Sequence, residues 1–145
     1  MIVHKFGGTS VGNAARFATV ADIVSERHKA GAGSPLAGSI VVLSAMSGVT
    51  NQLLAGAWAA AEGRDSECRR IKAELVERHI KVIEALLTAS GERLELEGWI
   101  EDRLYELERL YRSIGALGEL TARGRDHVAA FGEQLSVHIL AAALR

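Results

Sequence analysis

A short run, IVHKF, ends on two adjacent glycines, Gly7 and Gly8, and an amphipathic pattern follows almost at once. That succession constrains the fold more than any other part of the chain. Ile2 to Phe6 is apolar and β-branched at its start, which suits a strand. Phe17, Val20 and Val24 then recur at helical spacing, with Ala14, Ala18 and Ala21 alongside. They predict a helix from about Asn13 to about Lys29, with Asn13 available as its N-cap. Residues 30–39 hold the sole proline, Pro35, and read as an exposed connection. SIVVLSA follows, a continuous apolar run that fits a strand buried on both faces, as in parallel sheets. Strand, helix and strand in this order predict a right-handed βαβ unit and an α/β class.

The rest of the chain is helical in pattern. Leu53, Leu54, Ala57 and Trp58 predict a helix ending near Gly63. Ile71, Leu75, Val82 and Leu86 form a stripe, widened by Val76, Ile83 and Leu87, and Gly91 is the expected break. Ile100, Leu104, Leu107, Tyr111 and Ile114 form a second stripe, closed by Gly115 and Gly118. The two stripes predict a helical hairpin. Thr121 can cap a shorter piece that Gly124 or Gly132 interrupts, and a last helix carries Leu135, Ile139 and Leu140. Two strands are too few for an independent open sheet. Residues 1–145 are therefore expected to be the N-terminal part of one larger domain.

Composition removes several function classes. There are 17 basic and 18 acidic residues, a net charge of −1, so no bulk field points to nucleic acid. Cys68 is the single cysteine, which forbids an internal disulfide and suits a reducing, cytoplasmic setting. No apolar stretch approaches the roughly 18 residues of a membrane span. His4, His28, His79, His127 and His138 lack metal-ligand spacing, so no metal site is expected. His79 reads as a boundary residue of the first stripe. Arg123, Arg125 and Asp126 read as a solvated or helix-pairing charge set.

A strand, a glycine turn and a helix together present backbone N–H groups to an anion. The glycines at 7, 8 and 12 do not fit the dinucleotide fingerprint. Gly7 and Gly12 have the Walker spacing, but Asn13 and Ala14 stand where lysine and a hydroxyl residue belong. Lys5 instead precedes the glycines, at the carboxyl end of its strand, where ligands of open α/β sheets bind. A lysine there can neutralise charge on a transferring phosphoryl group. The turn could equally be only a turn, with Lys5 on the surface. The second strand also ends on polar groups, Ser44, Ser47, Thr50 and Asn51 around Gly48. Parallel pairing would bring these to the same crevice as Lys5. Ser44 and Thr50 suit carboxylate or phosphate oxygens.

KFGGTSV at 5–11, LSAMSGVTN at 43–51 and FGEQLS at 131–136 together resemble the aspartate kinase family of the amino-acid kinase fold. The three motifs come in the family's order. The resemblance implies the N-terminal part of a carbamate-kinase-like αβα sandwich with a helical hairpin insertion. It implies transfer of the γ-phosphoryl group of ATP to the side-chain carboxylate of L-aspartate, at the entry to lysine, threonine and methionine biosynthesis. Mg²⁺ would be carried by the nucleotide. By motif position, Lys5 would be catalytic. Lys5, Phe6, Gly7, Gly8, Thr9 and Ser10 would form the nucleotide phosphate site. Ser44, Thr50 and Glu133 would hold aspartate, Glu133 through the α-ammonium. A carboxylate nucleophile arrives ionised, so no general base is required. The family's later substrate and nucleotide segments and its regulatory modules are not found in the sequence. The chain alone is expected to be inactive, and the enzyme to be a homo-oligomer.

Three other readings compete. One is a relative with a different acceptor: glutamate, acetylglutamate, carbamate or a nucleoside monophosphate. Another is a non-catalytic interaction module of this fold that pairs through the hairpin. The third is a phosphate-binding α/β domain with an unrelated substrate.

Overall fold

A computed structural model of the chain describes residues 2–31 and 38–145. The predicted connection around Pro35 falls mostly outside the described residues. Strands β1 (Ile2–Phe6) and β2 (Ser39–Leu43) pair in parallel, with Lys5 opposite Val42 and Phe6 opposite Leu43. Parallel pairing requires a crossover between them, and helix α1 (Ala14–Ala30) lies in it. A 3-10 turn, Gly8–Val11, precedes α1. Asn13 caps the helix as predicted, its Oδ1 accepting from the Arg16 N–H at 3.0 Å. Phe17, Val20, Ala21 and Val24 make the buried face of α1.

Four helices follow: α2 (Val49–Ala61), α3 (Asp65–Leu86), α4 (Ser90–Leu117) and α5 (Ala122–Ala143). Both predicted stripes face inward. Ile71, Leu75, Val82 and Ile83 of α3 are buried, as are Ile100, Leu104, Leu107, Tyr111 and Ile114 of α4. Each such side chain contributes about 1.5–3 kcal/mol when removed from water. The Tyr111 hydroxyl donates to the Leu53 carbonyl at 2.7 Å, tying α4 to α2. A partly buried ion pair, Lys72 to Glu108, joins α3 to α4 and holds the Glu108 carboxyl below its usual range.

The structure corrects several expectations. The strands are not buried on both faces. Val3 is 61% exposed, Ile40 48% and Val42 44%, and Lys5 shares their open face. Phe6, Val41 and Leu43 pack against the core on the other face. Gly91 does not break the hairpin but sits in the first turn of α4, the break falling at residues 87–89. Gly115 lies inside α4, and Gly118, at φ +66°, supplies the left-handed residue that ends it. Thr121 caps one uninterrupted helix of 22 residues, not a shorter piece, its Oγ1 accepting from the Gly124 N–H. The cap holds Gly124 in the first turn, and tertiary packing outweighs the weak helix propensity of Gly132.

His79 is not a boundary residue. It is fully buried, with Nδ1–H donating to the Leu75 carbonyl at 2.6 Å and Nε2 without a partner among the described residues. Burial disfavours the imidazolium and depresses the pKa from 6.5 to about 4.

Candidate active site

The carboxyl ends of β1 and β2 meet, and α5 closes on them from the helical side. The Ser44 N–H donates to the carbonyl of Phe6, the last residue of β1, at 3.0 Å, extending the ladder one step past β2. Gly8 then presses on the chain leaving β2. A Cβ at Gly8 would lie 2.9 Å from the Ala45 carbonyl oxygen and 3.5 Å from the Ser47 nitrogen. From the opposite side comes Gly132 of α5, where a Cβ would stand 2.5 Å from the Cβ of Ala45. Three segments far apart in sequence thus converge on Ala45.

The two glycines of KFGG have different reasons to be glycine. Gly8 is required by close backbone approach. Gly7 faces open space, with nothing within 4 Å of an added Cβ. Its extended backbone starts the 3-10 turn, in which the Ser10 N–H donates to the Gly7 carbonyl at 2.9 Å. The N–H groups of Gly8 and Thr9 precede that first intrahelical bond and are available as donors. The 3-10 turn separates α1 from the glycines, so the turn's own amides, rather than those of α1, are next to Lys5.

The β2–α2 turn is similarly bare. Gly48, at φ +80°, is the N-cap of α2 and supplies no side-chain cap. The Val49 N–H donates to the Met46 carbonyl and the Gln52 N–H to the Gly48 carbonyl. The N–H groups of Thr50 and Asn51, within the first turn, have no intrahelical partner. Two polar contacts fasten this turn to α3. Arg78 Nη2 donates to the Ser47 carbonyl at 2.7 Å, and Gln52 Nε2 donates to Glu74 Oε2 at 2.9 Å.

Each candidate residue has a definite place. Lys5 is exposed at the end of β1, and Phe6 is half-buried beneath it. Thr9 is exposed and Ser10 half-buried on the 3-10 turn. Ser44 and Thr50 are half-buried at the two ends of the β2–α2 turn. Glu133 is half-buried and follows Gly132 directly. The direct contacts run through Gly8, Ser44 to Ser47 and Gly132. Lys5, Thr50 and Glu133 are placed by those neighbours. Arg125 and Asp126 lie 3.7 Å apart with side chains 55% and 76% exposed, a solvated pair. Sequence reasoning missed Ala45 and Arg78, because their contacts join residues far apart in the chain.

The structure is that of an α/β protein whose open parallel edge brings bare amides, a lysine and hydroxyls to adjoining strand ends. The amino acid kinase family profile matches residues 1–145, and the chain belongs to that family. It is 36% identical over 143 residues to the chloroplastic aspartokinase 1 of Arabidopsis thaliana, covering 98% of this chain and 23% of that protein. Two crystal structures of E. coli aspartokinase III are similar throughout the chain. The R-state complex with aspartate and ADP superposes with a TM-score of 0.75 at 28% identity. The T-state complex with lysine and aspartate gives 0.78 at 26% identity. In both, the match covers 100% of this chain and 29% of the other. Among the described residues, no helix is long and apolar enough to cross a membrane.

Proposed function

We propose that this chain is the N-terminal part of the catalytic domain of a cytoplasmic, homo-oligomeric aspartate kinase. An oxygen of the L-aspartate side-chain carboxylate attacks the γ-phosphorus of ATP. The bond to the β-phosphate bridging oxygen breaks, ADP leaves, and 4-phospho-L-aspartate forms. No proton has to move in this step. Lys5 neutralises charge on the transferring group, and the Gly7–Ser10 turn donates amides and hydroxyls to phosphate oxygens. Open space over Gly7 leaves room for a nucleotide phosphate, and Phe6 carries the turn. Ser44 and Thr50 take the aspartate carboxylates, and Glu133 pairs with its ammonium. The described residues contain no cluster of three or more His, Cys, Asp or Glu side chains able to hold a metal. Mg²⁺ would be carried by the nucleotide's phosphates and would neutralise developing charge there.

The convergence of Gly8, Ala45 and Gly132 carries this reading, because it packs all three motif segments around one point. The chain's 23% share of its plant relative and the open sheet face with Val3, Ile40 and Val42 support a domain that continues beyond it. The test is a coupled ADP-release assay of the full-length enzyme with aspartate, glutamate, acetylglutamate, carbamate and a nucleoside monophosphate. Turnover with aspartate alone is expected. Preference for any other acceptor would overturn the assignment. The isolated 145-residue chain is expected to show no turnover, and light scattering of the full-length enzyme should give a mass above that of one subunit.

A further inference from the structure

We infer that Arg78, on the helical hairpin, is a positioning residue that holds the β2–α2 turn in its ligand-ready shape. The inference deepens the aspartate reading and rests on it for its kinetic consequence. Arg78 is 31 positions from Ser47 in sequence, yet its Nη2 donates to the Ser47 carbonyl at 2.7 Å. Its Nη1 would lie 3.9 Å from a Cβ at Gly48, so the guanidinium spans both residues of the turn. Ser47 precedes the N-cap, so its carbonyl lies outside the helical ladder of α2. Gly48 is left-handed and unbranched, the most conformationally free kind of residue at the least restrained point of the turn. A charge-assisted bond from a separate helix is what restrains it.

The anchor itself is rigid. His79, next to Arg78, is fully buried, as are Leu75 and Ile83 on either side along α3. Glu74, one helical turn before Arg78, takes Gln52 and so fixes the first turn of α2 from the same helix. Thr50 lies between these two tethers, and Ser44 lies just before the turn. Arg78 thus acts on the acceptor side through the backbone, without touching a ligand.

The test uses Arg78→Ala and Arg78→Lys in the full-length enzyme. Arg78→Ala should raise the KM for aspartate about tenfold, the size expected for one lost charge-assisted hydrogen bond. The KM for ATP should change less, and kcat should stay within a few-fold. Arg78→Lys, or added guanidinium with Arg78→Ala, should recover part of the loss. Amide exchange over residues 44–51 should speed up in Arg78→Ala while exchange in α4 stays unchanged. Unchanged exchange in that turn would overturn the inference, whatever the acceptor proves to be. Faster exchange with unchanged aspartate KM would overturn its functional half. Inactivity of the wild type toward aspartate would instead strike the proposed function, leaving the exchange result to decide the tether.

Discussion

Gly132 and Ala45 are packed so closely that no side-chain atom fits on the glycine. The distance from an added Cβ to the Cβ of Ala45 would be 2.5 Å, with Leu53 and Val49 each at 3.4 Å. Helix propensity alone would make Gly132→Ala stabilising by about 1 kcal/mol. The clash is with a Cβ fixed to its backbone, which cannot rotate away. Overpacking of this kind costs about 1–3 kcal/mol, so the substitution should be net destabilising. Chemical denaturation of the full-length protein measures it. A higher midpoint for Gly132→Ala would mean the packing is looser than the geometry states.

His79 should make stability acid-sensitive. Its folded pKa of about 4 lies below its ordinary value of 6.5, because burial disfavours the charged ring. Between those values the unfolded chain binds more protons, so stability rises with pH through this window. The contribution is complete above pH 6.5 and lost as pH falls toward 4. Its size is roughly 3 kcal/mol. As the pH falls from 6.5 toward 4, the denaturant midpoint of wild type should drop by more than that of His79→Met, because only the wild type loses this contribution. Parallel pH profiles for the two proteins would refute it.

Substitutions around the crevice should separate the two substrates. Lys5→Ala should lower kcat by about 10²–10³, the range for loss of one charge-stabilising group. Thr50→Ala and Glu133→Ala should instead raise the KM for aspartate, with nucleotide affinity nearly unchanged. Initial-rate kinetics in both substrates and nucleotide titration report these effects. Loss of nucleotide binding in Glu133→Ala would place that carboxylate on the wrong side.

Tyr111→Phe tests the link between α4 and α2. The phenol is buried, and its hydroxyl makes a single bond to Leu53. The same burial raises the hydroxyl's pKa, so it remains a donor at neutral pH. Removing the hydroxyl should cost about 1 kcal/mol, because the carbonyl left behind keeps its helical partner. An unfolding free energy equal to that of wild type would show that the bond contributes nothing.

The sequence by itself determined the local elements and the residue types that line the crevice. Short apolar runs located the strands and period-3.6 patterns the helices, and Asn13 and Thr121 marked two helix starts correctly. The paired glycines with Lys5, and the hydroxyls around Gly48, each also fit an ordinary turn, and they stood out only because both lie at strand ends and recur with FGEQLS in one order. What the sequence left open depended on distance along the chain. Gly132 read as a helix interruption because propensity is local, whereas its reason is Ala45, 87 positions earlier. His79 read as a boundary residue because the stripe does not reveal how deeply α3 is covered. The exposure of Val3 and Val42 was hidden because an apolar run specifies what a strand can bury, and only neighbouring layers decide whether it does. Arg78 carried no signal in sequence at all, since its partner is a backbone carbonyl, which every residue has. Tertiary structure alone selected which one it meets.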